Sequence, residues 1–223
     1  MKRFSSQNAR RALTTIYEWA KGNASRDNLW WWPPQPSVES LVYGPLAKPS
    51  RAIFVTKMGF TEQIMCRPAP PSDMLIVTRH ALLGEQQEDW MGRFVAGLKV
   101  PWGFLGDLSP LGWTVYLSLV ASVPRAMSPP SFVGITDSLI RLYKKHHRAA
   151  HAGEVRMSKV EMEHTELLLS LGLDWQAIAG PMSVATLKSG IQMGVDSFYP
   201  KKASNAAYVR SFWRLIDSAY RHV

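Results

Sequence analysis

Apolar residues follow two patterns along this chain. Over residues 5–21, and again beyond Gly153, they recur every three to four positions; between Arg51 and Ala150 they gather in short unbroken runs. The runs AIFVT (52–56), MLIVT (74–78), WGFLG (102–106) and SFVGI (131–135) read as strands. None alternates apolar with polar, which is the pattern of strands covered on both faces. Helices are predicted between and after them, over 59–66, 85–98, 110–120 and 138–150. Strand and helix alternating over about 100 residues predict an α/β fold with a parallel sheet flanked by helices.

The flanks read differently. Ser5 or Ser6 caps a first helix whose Leu13, Ile16, Tyr17 and Ala20 share one face, and Gly22 and Asn23 stop it. Residues 27–50 read as a linker extended by its prolines and opening on WWWPPQP, whose Trp30, Trp31 and Trp32 suit packing on the domain or docking into a partner protein better than stacking on bases. After Gly153 the chain turns helical. Ser158 and Glu161 form a capping-box pattern ahead of a stripe of Val160, His164, Leu167, Leu168 and Leu171. Further helices are predicted over 183–193 and 205–221, the last with Val209, Phe212, Trp213 and Ile216 inward. The predicted organisation is an N-terminal helix and Trp/Pro-rich arm (1–50), an α/β domain (51–152) and a helical C-terminal extension (153–223).

Charge narrows the choice of partner. The chain has 26 Lys and Arg against 17 Asp and Glu, a net +9, so its surface attracts polyanions, nucleic acid first. The densest run is Arg141, Lys144, Lys145, His146, His147 and Arg148 at the end of the fourth predicted helix, where a solvated basic helix end is the simpler alternative. One cysteine, Cys66, excludes an internal disulfide and a multi-cysteine zinc site, which suits a reducing compartment. His147 and His151, four apart, have only Glu154 as a third zinc ligand, which is too little to define a site. The uncharged stretch 108–124 is too short to span a bilayer, and the basic N-terminus leads into an amphipathic rather than an apolar segment. A soluble protein, cytoplasmic or nucleoid-associated (nuclear in a eukaryote), is expected.

The candidate chemistry centres on WGFLGDLSPLGW. Asp107 follows the third strand, at the edge where open α/β sheets hold ligands, although an Asp there also serves simply to cap the next helix. Lys57, Arg79 and His80 follow the first two strands and belong on the same edge, within reach of phosphates.

AIFVTKMGF, MLIVTRHALLGEQQEDWMGRFVAGL, VPWGFLGDLSPLGWTVYLSL and SFVGITDSLI, in that order, resemble the Toprim domain of the topoisomerase VI A-subunit family, which includes the meiotic double-strand-break proteins. LLSLGLDW and SVATLKSGIQMGV look like that family's C-terminal helices, so the resemblance covers roughly residues 51–197. It implies a fold that binds Mg²⁺ beside DNA, with a Glu after the first strand and two Asp in a D-x-D-P-x-G motif. Here Asp107 matches the first Asp, Ser109 stands where the second belongs, and Thr56 stands where the Glu belongs. One carboxylate is a poor site for so strongly hydrated an ion. Glu62 or Glu85 would have to replace the missing ligands.

The family's tyrosine nucleophile sits on a domain for which the residues before the first strand are too few. Tyr17 and Tyr43 read as packing residues. The expectation is a non-catalytic Toprim-like protein that binds DNA or assembles with a protein partner or a second copy of itself. The alternatives are a metal-dependent nuclease rebuilt around Asp107 and Glu62 or Glu85, and a structural subunit docking through Trp30 to Trp32.

Overall fold

The computed structural model describes residues 4–24, 29, 31, 33–34, 41–57, 60–61, 71–78, 82, 85–124, 127–146, 153–199 and 206–220. Its frame is a five-stranded sheet of β1 (Leu41–Tyr43), β2 (Arg51–Val55), β3 (Met74–Thr78), β4 (Trp102–Leu105) and β5 (Ser131–Phe132), in the order β1-β3-β2-β4-β5. β3, β2, β4 and β5 run parallel, with Ile53 opposite Ile76 on one side and Gly103 on the other. Every residue of β3 and β4 is buried, as are the last four of β2. Side chains alternate between the faces of a strand, so helices must cover the sheet on both sides. The unbroken apolar runs had this cause.

β1 was not anticipated. It lies in the segment read as a linker and pairs antiparallel with β3, with Val42 opposite Val77. Three half-buried residues between Pro and Gly signals carry too little pattern to read as a strand.

Helix α1 (Ser6–Gly22) starts on Ser5, whose hydroxyl accepts from Asn8 N–H at 3.2 Å. α2 (Glu85–Leu98) and α3 (Pro110–Ser122) follow β3 and β4. In α3 every residue except Leu111 is buried. A helix apolar all round belongs inside, and α1, α2 and α5 (Lys159–Ser170) all pack on it. Its hydroxyls are accommodated locally: Thr114 donates to Pro110 O, Ser122 to Leu119 O, and Tyr116 to Pro130 O.

α4 (Asp137–His146) follows β5. α6 (Trp175–Ala179), α7 (Pro181–Lys188) and α8 (Ala206–Ala219) follow; of the helix expected over 59–66 only Phe60 and Thr61 are among the described residues, and both are helical. The helix predicted over 183–193 instead ends at Lys188. Gly190 turns the chain at φ 77°, and β7 (Ile191–Met193) pairs antiparallel with β6 (Glu154–Arg156). The backbone of α7 begins at Gly180, φ 97°, without a cap of its own. Asp137 supplies one from α4, accepting Ser183 N–H at 2.8 Å and Met182 N–H at 3.1 Å.

The tryptophan arm differs from expectation. Trp31 is 2% exposed, and its ring stacks on the His164 imidazole, on which Trp19 of α1 also stacks, at centroid separations of 5.3 and 5.0 Å. Trp31 is therefore not a free docking residue. Trp30 and Trp32 lie outside the described residues. His164 Nε2 and Thr114 Oγ1 share a hydrogen bond of 2.9 Å. Burial pulls the imidazole down to about 3, so it is neutral. Among the described residues no helix is long and apolar enough to cross a membrane.

Two tests follow from this packing. Asp137→Ala leaves the first amides of α7 unpaired in the interior and is expected to cost about 2 kcal/mol in urea denaturation. For His164, the unfolded imidazole titrates near 6.5 and the folded one near 3, so only the unfolded chain takes up this proton in between. Stability falls as pH is lowered through that window, by up to about 1.4 kcal/mol per pH unit. Denaturation of the native chain and of His164→Gln at a series of pH values checks this, the variant showing the shallower loss.

Candidate functional site

β4 ends at Leu105, and the chain passes through Gly106 and Asp107 before Ser109 starts α3. Ser109 takes the capping role, its Oγ accepting Gly112 N–H at 2.9 Å, with Pro110 in the first turn. Asp107 is thereby released from the cap that its position suggested. Its Oδ1 instead accepts Val195 N–H at 2.7 Å, and its Oδ2 lies 3.2 Å from Lys57 Nζ.

Lys57 comes from the loop after β2, the neighbour of β4, so the parallel register brings the two residues to one edge. The ammonium also meets Asp196 Oδ1 at 2.7 Å. Asp196 lies in a 3₁₀ turn (Val195–Phe198) after β7. That turn is held over the edge by a backbone bridge in which Leu108 and Met193 exchange N–H···O bonds of 3.0 and 2.9 Å. Gly194 gives the approach its room, since a Cβ there would lie 2.5 Å from Asp196 Oδ1 and 2.9 Å from Lys57 Nζ.

The electrostatics follow from burial. Burial pushes the Asp107 carboxyl above its usual value, against the pull of Lys57 and the Val195 amide. Burial alone would pull Lys57 down, but attraction to Asp107 and Asp196 outweighs it and holds the ammonium above its usual value. The three groups border a cleft of about 360 Å³ that Ser109, Glu161 and Gln192 also line. Glu161 is occupied by its capping box, accepting Ser158 N–H at 2.7 Å, and by Gln192 Nε2–H at 2.9 Å. Among the described residues no three of His, Cys, Asp and Glu come together as a metal site.

Of the residues singled out in the sequence, Asp107 and Lys57 do meet. Lys57, expected to reach phosphates, has its charge engaged by two carboxylates instead. Glu62, Arg79, His80, His147, Arg148 and His151 lie outside the described residues, and of Glu85 only its backbone position at the start of α2 is described. Glu154 lies on β6. Arg141, Lys144 and Lys145 are exposed on α4, Arg141 loosely paired with Asp137 at 3.8 Å. Asp196 was missed, because it sits 139 residues from Lys57, between the helices predicted over 183–193 and 205–221, where the sequence carries no pattern. The one trace of it in the sequence is the pairing of a glycine with an acid in GVD.

Lys57→Gln removes the counter-charge and leaves Asp107 buried with the Val195 amide. The Asp107 carboxyl is expected to titrate still higher in a carbon-detected NMR titration, and the fold to lose about 1–2 kcal/mol. Asp196→Asn, at a more exposed position, is expected to cost less stability and to move the Asp107 titration downward, because it removes a neighbouring negative charge. No protein-family model matches this chain, and no curated protein matches it in sequence.

Proposed function

We propose that this chain associates with duplex DNA without cutting it by a metal-dependent mechanism, as a degenerate relative of the Toprim domain of the topoisomerase VI A-subunit family. The observation that carries the reading is the Lys57 ammonium between Asp107 and Asp196, at 3.2 and 2.7 Å. A divalent ion such as Mg²⁺ works in phosphoryl chemistry by lying between carboxylate oxygens and a phosphate and absorbing developing charge. Here a tethered cation stands where such an ion would have to sit, and both Asp107 oxygens are engaged. The residues present do not fit Mg²⁺.

What remains is an edge whose charges satisfy one another and a chain with a net charge of +9. Such a charge favours the DNA backbone, where each contacted phosphate releases condensed counterions. Arg141, Lys144 and Lys145 on the exposed side of α4 supply cations that are not committed to the Asp107 edge.

Titration of a labelled duplex with the purified chain, with and without Mg²⁺ or Mn²⁺, tests the reading when the same samples are run on a denaturing gel. The expected result is binding that weakens with salt and yields no cleavage products in either metal. Metal-dependent cleavage that disappears in Asp107→Ala would overturn it in favour of a nuclease, and absence of duplex binding at low salt would overturn it altogether.

A further inference from the structure

The described basic residues of α4 do not stand alone. Helix α8 packs against α4, and both close on the same aromatic residue: the Tyr143 ring lies 4.8 Å from the Phe198 ring, and Tyr208 donates its hydroxyl to Phe198 O. Lys144 and Lys145 directly follow Tyr143, and Arg210 comes two residues after Tyr208 and is turned away from the packed side, so two neighbouring helices both carry exposed cations.

The inward face of α8 consists of Tyr208, Val209, Phe212, Trp213 and Ile216, all buried. Its outward stripe carries Arg210 and Arg214, both exposed and without a carboxylate partner among the described residues. The outward positions of α4 are Ser138, Arg141, Lys144 and Lys145. No exposed acid interrupts either stripe: Asp137 is buried beneath α7, and Asp217 is paired with Arg51 at 3.0 Å.

We infer that α8 supplies the second half of a two-helix cationic face, with Arg210 and Arg214 contacting the phosphate backbone of double-stranded DNA beside Arg141, Lys144 and Lys145 of α4. Residues four apart on a helix are about 6 Å apart along its axis, and packed helix axes lie about 8–10 Å apart. Cations along each stripe are thus about one helical turn apart, on two helices that are packed together. The two arginines add geometry, because a guanidinium grips two phosphate oxygens at once. Among the described residues neither stripe offers a large exposed apolar side chain for insertion between acyl chains, Ala206 and Ala207 being too short, which favours a nucleic-acid backbone over a lipid surface.

The inference rests on the DNA-binding reading above and is tested so that the two can fail separately. Affinity of the full chain for a labelled duplex is measured over a series of salt concentrations for the native protein, for Arg210→Gln/Arg214→Gln, and for Lys21→Gln/Lys188→Gln, a control that removes two exposed lysines from other helices. Circular dichroism and thermal unfolding verify that each variant is folded.

Each lost phosphate contact lowers the slope of log K against log salt by about 0.9. The arginine pair is expected to flatten it by about 1.8 and the lysine control by much less. An unchanged slope in the arginine variant, or an equal loss in the control, overturns the two-helix face while leaving DNA binding standing. Absence of native binding to duplex overturns both. Tighter binding to phosphatidylserine vesicles than to duplex, abolished in the arginine variant, would reassign the face to a membrane and overturn the inference.

Discussion

A carboxylate buried at the end of a strand has to be neutralised or given up, and the architecture around Asp107 answers that requirement. Removing its charge from water costs several kcal/mol unless hydrogen bonds and an opposite charge replace the solvent. Val195 N–H and Lys57 Nζ do so from opposite parts of the chain, one arriving after β7 and the other after β2. Satisfying this single group therefore ties the C-terminal segment to the parallel sheet. Asp196 then balances the remaining attraction of the ammonium, and Gly194 leaves the space for it. The edge that an open α/β sheet usually offers to a ligand is here bonded largely to itself.

That edge is rigid because of what lies behind it. α3 leaves the edge directly and runs into the interior, where nearly all its surface is covered by helices and sheet. A helix buried on every side cannot rotate or slide without breaking contacts all round, so its first turn, and Asp107 just before it, hold their position. The His164 ring reinforces the arrangement. Its hydrogen bond to Thr114 of α3 and its stacking on Trp19 and Trp31 join α5, α1 and the arm segment to the same buried helix. Aromatic residues that would suit a partner surface are used to close the core.

Among the described residues, the outward faces of α4 and α8 carry exposed cations that the Asp107 edge does not engage. Lys57 is a case where burial redirects a residue's role: at the same strand end a solvated lysine would reach for a phosphate, whereas this one is held between two carboxylates. The outward residues of α4 and α8 are not so constrained. Charge that lies on regular helices at fixed spacing is better suited to a repeating polyanion than charge scattered on loops.

The sequence by itself determined the local structure. Four unbroken apolar runs gave four parallel strands, since a doubly covered strand needs an apolar residue at every position. Ser109 with Pro110, and Ser158 with Glu161, marked helix starts because the groups that cap a helix lie within one turn of it. Periodicity likewise oriented α5 and α8. Tertiary structure alone decided what depends on residues distant in sequence. β1 needed the edge of β3 to become a strand, and Gly190 turned an anticipated helix into β7 because β6 was there to pair with it. Asp107 exchanged a capping role for an ion pair once Ser109 had taken the cap, and Asp196 became part of the site only through a contact across 139 residues. Hydrogen bonds within a turn are written into neighbouring residues, whereas the pairing of buried charges depends on which segments the fold brings together.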